Sequence, residues 1–415
     1  MTAGISQTRR RRQRMHGVLA AAVAWSIGAA AVAPAAVAAE ASPEQWYLGP
    51  MKAEEIWKVS TGKGIKVAVI DSGVHESTPS LKGQVLPGKH FTRKGTDTQT
   101  DDTNGQGTTT AELIVGTGEG GGIRGLAPGA KVIPFKVPLH KHNALPEVME
   151  DSLYRAVKAA ADSDAQIINI SVGSEWAIGM SRFGETDAFK YAASKGKLVF
   201  AGTGDNAKEG NKPQRPADSP DVVGVASTGR DGKVTDFSQH GEDVDLAAPG
   251  AEIPRWCDAK FQRYCTGGGF VASTAITSAS AALIWSKHPD WTPNQVLRVL
   301  YDTASRNWVT GKRDAYRGHG LVRPRDHLLE GKGSPGNPDV ELSAHGVDPN
   351  PPAPATPNTP PIKPAKPTGT PALASSSKDS AATGPSPLLI GGIAAAALIL
   401  AAGAFALVRR RRAAH

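Results

Sequence analysis

The feature that most constrains this chain is a repeated alternation of short β-branched runs with helical stretches. Ile65 to Ile70 is one such run, and it stops at Asp71-Ser72-Gly73. Val132 to Val137 is another. Gln166 to Ile170 ends at Ser171-Val172-Gly173, and Lys197 to Ala201 ends at Gly202-Thr203-Gly204. Val222 to Ala226 and Val244 to Leu246 are shorter runs of the same kind. Between them, Val148, Leu153, Ala156, Val157 and Ala160 recur at helical spacing along Glu147 to Ala161. Ala188 to Ser194 is helical, and Ser273 to His288 reads as a long helix of small residues. Apolar strands buried on both faces and separated by helices predict an α/β fold of three layers with a mainly parallel sheet. Such sheets bind ligands beyond the carboxyl ends of their strands, where Asp71, Ser171 and Asp205 sit. No repeat at solenoid period appears. Arg306 to Leu329 reads as loops, a Gly318-His319-Gly320 turn and a closing helix.

The two ends of the chain carry a different signal. The formal charge is +8, from 47 Lys plus Arg against 39 Asp plus Glu. Arg9, Arg10, Arg11, Arg12 and Arg14 precede one apolar run, and Arg409 to Arg412 follow another. Setting those nine aside leaves 8 − 9 = −1 for everything between. A basic nucleic-acid surface would lie within a domain, so no nucleic acid is expected as a partner. Residues 1–38 read as a secretory signal, with Val18 to Val32 as the apolar core and Ala36-Val37-Ala38 as the small-residue cleavage pattern. Leu388 to Val408 carries no charge, and its length spans roughly 30 Å as a helix, one bilayer core. Arginines stay on the cytoplasmic side. The expected arrangement is therefore a folded domain over 39–332 outside the cell, a Pro-rich disordered stalk over 333–387, a single transmembrane helix over 388–408 and a basic cytoplasmic tail over 409–415.

Cys257 and Cys265 are the only cysteines. Outside a membrane a close, even pair reads as a small disulfide loop, with free thiols as the alternative. No His or acid pair stands near them to complete a metal site.

Several motifs now agree in order. Val67 to Gly73 resembles the catalytic aspartate motif of subtilisin-like serine proteases, peptidase family S8. Gly125 to Ala130 is similar to the stretch after that family's histidine helix, and Asn169-Ile170-Ser171-Val172-Gly173 to its substrate-binding strand end. Phe237-Ser238 through Asp245 to Gly250 resembles the approach to the catalytic serine, and Ala281 to Ile284 with Ser286 to Pro289 the helix after it. The resemblance covers about residues 46–330. Trp46-Tyr47-Leu48, the stalk and the C-terminal anchor are similar to the mycosin branch, whose members are membrane-anchored and tied to type VII secretion.

The chemistry that this resemblance implies needs a serine nucleophile, a histidine base, an orienting aspartate and an oxyanion donor. Asp71 stands at the aspartate position. The family reads Gly-His-Gly-Thr where this chain reads Gly105-Gln106-Gly107-Thr108, so Gln106 takes the histidine's place, and an amide is no general base. Val271 takes the place of the serine and has no nucleophilic atom. At the oxyanion asparagine stands Asp205, with Asn206 next to it as the alternative. Ser171, Val172 and Gly173 are the expected substrate-binding residues, joined by the glycine segment Gly267-Gly268-Gly269. Ser273 is a candidate replacement nucleophile, but two positions along a helix turn its hydroxyl about 200° away. His75 reads as a loop surface residue, and His90, His140, His142 and His240 have no motif around them. Asp97, Asp101 and Asp102 match no metal loop and read as a solvated acidic turn, so neither metal nor cofactor is expected. The resemblance thus implies an inactive protease homologue that binds an extended peptide or protein, with type VII secretion components or an active mycosin as partners. The alternative is an active S8 endopeptidase that processes secreted or cell-envelope proteins.

Overall fold

Seven parallel strands form the centre of the fold: β1 (Lys66–Asp71), β2 (Lys89–His90), β3 (Lys131–Lys136), β4 (Ile167–Ile170), β6 (Leu198–Gly202), β8 (Val223–Thr228) and β9 (Leu246–Pro249). They lie in the order β2-β3-β1-β4-β6-β8-β9. The computed structural model describes residues 42–92, 98–139, 146–175, 183–305 and 313–338, with 340 and 342. The leader over 1–38, most of the 333–387 stalk, the 388–408 run, the 409–415 tail, Asp97, His140 and His142 lie outside the described residues. Among the described residues no helix is long and apolar enough to cross a membrane.

The strands are apolar on both faces because helices cover both. Val67, Val69, Ile167, Phe200, Val225 and Leu246 point to one side and pack with the helices α2 (Gln106–Val115) and α5 (Phe270–Lys287). Ala68, Ile70, Phe135, Ile168, Ile170 and Val199 point to the other, against α3 (Pro146–Ala161) and α4 (Phe183–Ser194). This is the period-2 alternation of a doubly covered sheet. Further elements are α1 (Ala53–Trp57), α6 (Pro293–Thr303), α7 (Pro324–Leu328) and a two-stranded ladder of β5 (Ser174–Glu175) with β7 (Gln214–Arg215).

Two expectations need correction. The long small-residue helix begins at Phe270, before Ser273, because Gly269 at φ 135° breaks the chain direction immediately ahead of it. The strand expected over Val244 to Leu246 runs from Leu246 to Pro249. Asp245 instead turns its carboxylate onto the Gly224 N–H at 2.8 Å and the Arg313 guanidinium at 2.9 Å. Within the segment Gly267-Gly268-Gly269, Gly267 closes an antiparallel hairpin of β10 (Ile253–Trp256) with β11 (Tyr264–Gly267), pairing with Ile253, and these two strands form a sheet of their own.

Cys257 directly follows β10, Cys265 lies within β11, and the two form a disulfide with Cα atoms 5.1 Å apart. The hairpin lies on α2: Trp256 donates its backbone N–H to Thr109 Oγ1 at 3.0 Å. A Cβ at Gly105 would come within 2.9 Å of the Trp256 Cβ and of the Asp258 carbonyl, so only glycine permits this contact.

Candidate functional site

The strand order reverses at β1, between β3 and β4, and that is where an open parallel sheet leaves a crevice beyond its carboxyl ends. Asp71 ends β1, Ser171 follows β4, and Asp205 follows β6. Two helix starts face them: Gln106 is the first residue of α2, and Phe270 and Val271 open α5.

Asp71 is buried and its carboxylate is held from three directions. Ser72 N–H donates to Oδ1 at 2.7 Å, Thr110 Oγ1 donates to Oδ2 at 2.8 Å, and Gln106 Nε2 donates to Oδ1 at 2.9 Å. Burial nevertheless outweighs these donors and pushes its pKa up to about 7, with the nearby Asp102 adding to the rise. Gln106 Nε2 also donates to the Ser171 carbonyl at 2.8 Å. Both partners are acceptors, which fixes the orientation of the amide. Among the described residues the Gln106 Oε1 has no hydrogen-bond partner, and the side chain is partly exposed.

The loop that delivers Gln106 is organised by Asp102. Its Oδ1 accepts from Asn104 N–H (3.1 Å), Gly105 N–H (3.0 Å) and Ser72 Oγ (2.8 Å). Its Oδ2 accepts from Thr108 N–H (2.9 Å) and Thr108 Oγ1 (2.6 Å). Asp102 is thus a buried capping group, not part of a solvated turn, while Asp101 remains exposed. Among the described residues no group of three His, Cys, Asp or Glu side chains gathers to hold a metal.

At the other helix start, Phe270 N–H donates to Asp205 Oδ1 at 2.9 Å. The second oxygen lies 2.3 Å from the point that a Cβ on Gly269 would occupy, so a side chain there would displace the carboxylate. Burial pushes the Asp205 pKa up to about 6, and the Phe270 bond offsets only part of the rise. Asn206 turns away: its Oδ1 accepts from Gln239 Nε2 and, at 3.4 Å, from Gln214 Nε2. Of the two neighbours, Asp205 is therefore the one at the start of α5. Val271 stands beside Phe270, partly exposed.

Ser273 is fully buried. Its hydroxyl donates to the Phe270 carbonyl at 3.1 Å and lies 3.2 Å from Ser227 Oγ, beneath the helix. Ser171 Oγ is also turned inward and accepts from Asn169 Nδ2 at 2.8 Å. Val172 and Gly173 follow it and take part in no strand ladder of the described sheets. His75 is half-buried and stacks on Phe261 of the disulfide loop, with ring centroids 4.3 Å apart, so it is more than a loop surface residue. His90 is exposed, and His240 lies against Tyr316 at 4.6 Å between centroids.

Residue patterns alone gave no sign of two participants. Glu112 of α2 is fully buried, accepts from Thr78 Oγ1 at 2.8 Å and Tyr264 OH at 2.9 Å, and is pushed by burial up to about 7. It ties α2 to the disulfide hairpin. Phe270 carries the second unforeseen role, since its N–H is the donor at the α5 start and its ring fills the space above Gly202.

The fold and the strand-end site define a parallel-sheet α/β domain with a cleft beyond the carboxyl ends of its strands. The family model of the subtilases, Peptidase_S8, matches residues 62–323, and the chain belongs to that family. Thermitase of Thermoactinomyces vulgaris is 28% identical over 278 residues, covering 65% of this chain and 94% of the relative. The crystal structure of MycP1 with its N-terminal propeptide removed is 26% identical with a TM-score of 0.59, covering 69% of this chain and 97% of that one. MycP3 protease, from the type VII (ESX-3) secretion system, is also 26% identical with a TM-score of 0.59, covering 72% and 90%.

Proposed function

We propose that this chain is a membrane-anchored extracellular subtilase without peptidase activity, which uses its cleft to hold an extended peptide or protein segment. The observation that carries this reading is the Gln106 amide. It sits on Asp71, where the family's histidine would stand, and its nitrogen is committed to Asp71 and Ser171. An amide does not take up a proton near neutral pH, so Asp71 has no base to orient. Val271 supplies no nucleophile, and a carboxylate at Asp205 repels the oxyanion that the family stabilises. Subtilisin-type triad members act as a unit, so loss of two leaves at most the residual rate of a binding cleft.

Val172 and Gly173, outside any described ladder, offer the backbone edge on which an extended segment would pair. The likeness to MycP1 and MycP3 supports a secretion component or an active mycosin as the protein bound. The uncharged run Leu388 to Val408 with its following arginines supports a single-pass anchor with the domain outside.

A fluorophosphonate probe tests the reading against an active S8 endopeptidase that processes secreted or envelope proteins. The expected result is no covalent labelling of the full chain. Labelling that disappears in Ser273→Ala would show a serine nucleophile and overturn it.

A further inference from the structure

The site differs from a protease cleft in one further respect, which concerns what it can bind. That difference matters only if the cleft holds a peptide, as proposed above. An oxyanion site needs donors. Here the Phe270 N–H at the start of α5 is taken by Asp205 Oδ1. Gln106 Nε2 is taken by Asp71 and the Ser171 carbonyl. What these two side chains leave for a ligand is the Gln106 Oε1 and the Asp205 Oδ2, both acceptors. Gln106 bridges the ends of β1 and β4, and Asp205 follows β6, the next strand in the sheet. Among the described residues no Lys or Arg pairs with Asp205. A carboxylate drawn partly out of water with one hydrogen bond and no counter-ion is incompletely satisfied, and a ligand cation with N–H groups would complete it.

We propose that the cleft selects a primary ammonium group, placing it on the Asp205 carboxylate with Gln106 Oε1 as a further acceptor. The position at which a protease receives a carbonyl oxygen would thus receive its opposite in charge and hydrogen-bonding sense. An ammonium on a bound chain comes from a free N-terminus or from a lysine side chain. A neutral, acetylated chain end lacks both the charge and the donors.

The test compares three synthetic pools of dodecapeptides incubated with the immobilised full-length protein, with bound peptide counted by mass spectrometry. The first pool has free N-termini and no Lys, Arg or His. The second is identical but N-acetylated. The third is acetylated and carries one lysine at a fixed position. Retention of the first pool at least about tenfold above the second assigns the site to chain N-termini, the size of effect that one charge-assisted hydrogen bond gives. The same margin for the third pool over the second assigns it to lysine. In Asp205→Asn the margin should fall to about twofold or less, because the amide oxygen still accepts from Phe270 while the charge is gone. Equal retention of all three pools by the unmodified protein overturns the ammonium proposal and leaves peptide binding intact. Retention of none overturns both.

Discussion

Replacing Gln106 by alanine probes the contact on which the account depends. The substitution removes two hydrogen bonds, to Asp71 Oδ1 and to the Ser171 carbonyl. The first is charge-assisted when Asp71 is ionised, and such a bond contributes about 1.5–3 kcal/mol. The second is neutral and contributes about 0.5–1.5 kcal/mol. Asp71 keeps Ser72 N–H and Thr110 Oγ1, so its carboxylate is weakened rather than orphaned. At pH 8, above the value of about 7 to which burial raises Asp71, the expected loss is about 2–4.5 kcal/mol. At pH 5 the folded carboxyl is neutral and the loss shrinks to about 1–3 kcal/mol. The sign follows from linkage. With the folded pKa above the unfolded one, the folded state binds more protons between the two values, and stability falls as pH rises through that window. Loss of the amide donor raises the folded pKa further and steepens the fall. Urea denaturation at both pH values measures this, since the midpoint shifts in proportion to the free-energy change. A loss below about 0.5 kcal/mol at both pH values, or a larger loss at pH 5, would refute the reasoning.

Two further outcomes follow from the same structure. Glu112 is fully buried with a pKa raised to about 7, so it also makes the protein less stable as pH rises from about 4 toward 7. In Glu112→Gln the drop in Tm between pH 5 and pH 8 should be smaller than in the unmodified protein; an unchanged drop would remove Glu112 as a cause. The Cys257–Cys265 bond closes a loop with a sequence separation of 8, which corresponds to about 2.5 kcal/mol of chain entropy. Cys257→Ser with Cys265→Ser should lower stability by about that amount, as read by urea denaturation, and an unchanged midpoint would contradict it.

The sheet was legible because its strands are β-branched runs bounded by Gly, Asp and Ser, with helices between them. Helix α2 was not legible from periodicity. It is buried from Gly107 to Val115, so no polar stripe marks one side. The hairpin of β10 and β11 was hidden because its strands are short and Gly267-Gly268-Gly269 reads as part of the peptide-binding surface rather than as a strand end. The pairing of Cys257 with Cys265 was legible from spacing, whereas the stack of Phe261 on His75 depends on how that loop folds. At the site, Asp71 and Gln106 stand in named motifs, and their contact needed only the fold. Asp205 and Asn206 are neighbours that residue order could not separate. The Phe270 N–H separates them, because a backbone donor at a helix start attracts the carboxylate. Asp102 misled because an acidic run looks solvated, and only the five donors converging on it reveal a cap.

The central claim is that chemistry is absent because specific atoms are absent. The most direct measurement is hydrolysis of a fluorogenic peptide library by two proteins side by side: the unmodified chain, and the same chain carrying Gln106→His, Val271→Ser and Asp205→Asn. The account predicts no turnover above the uncatalysed background by the first and detectable turnover by the second. Hydrolysis by the unmodified chain at the ordinary rate of a protease, with kcat of about 1 per second or more, would contradict it.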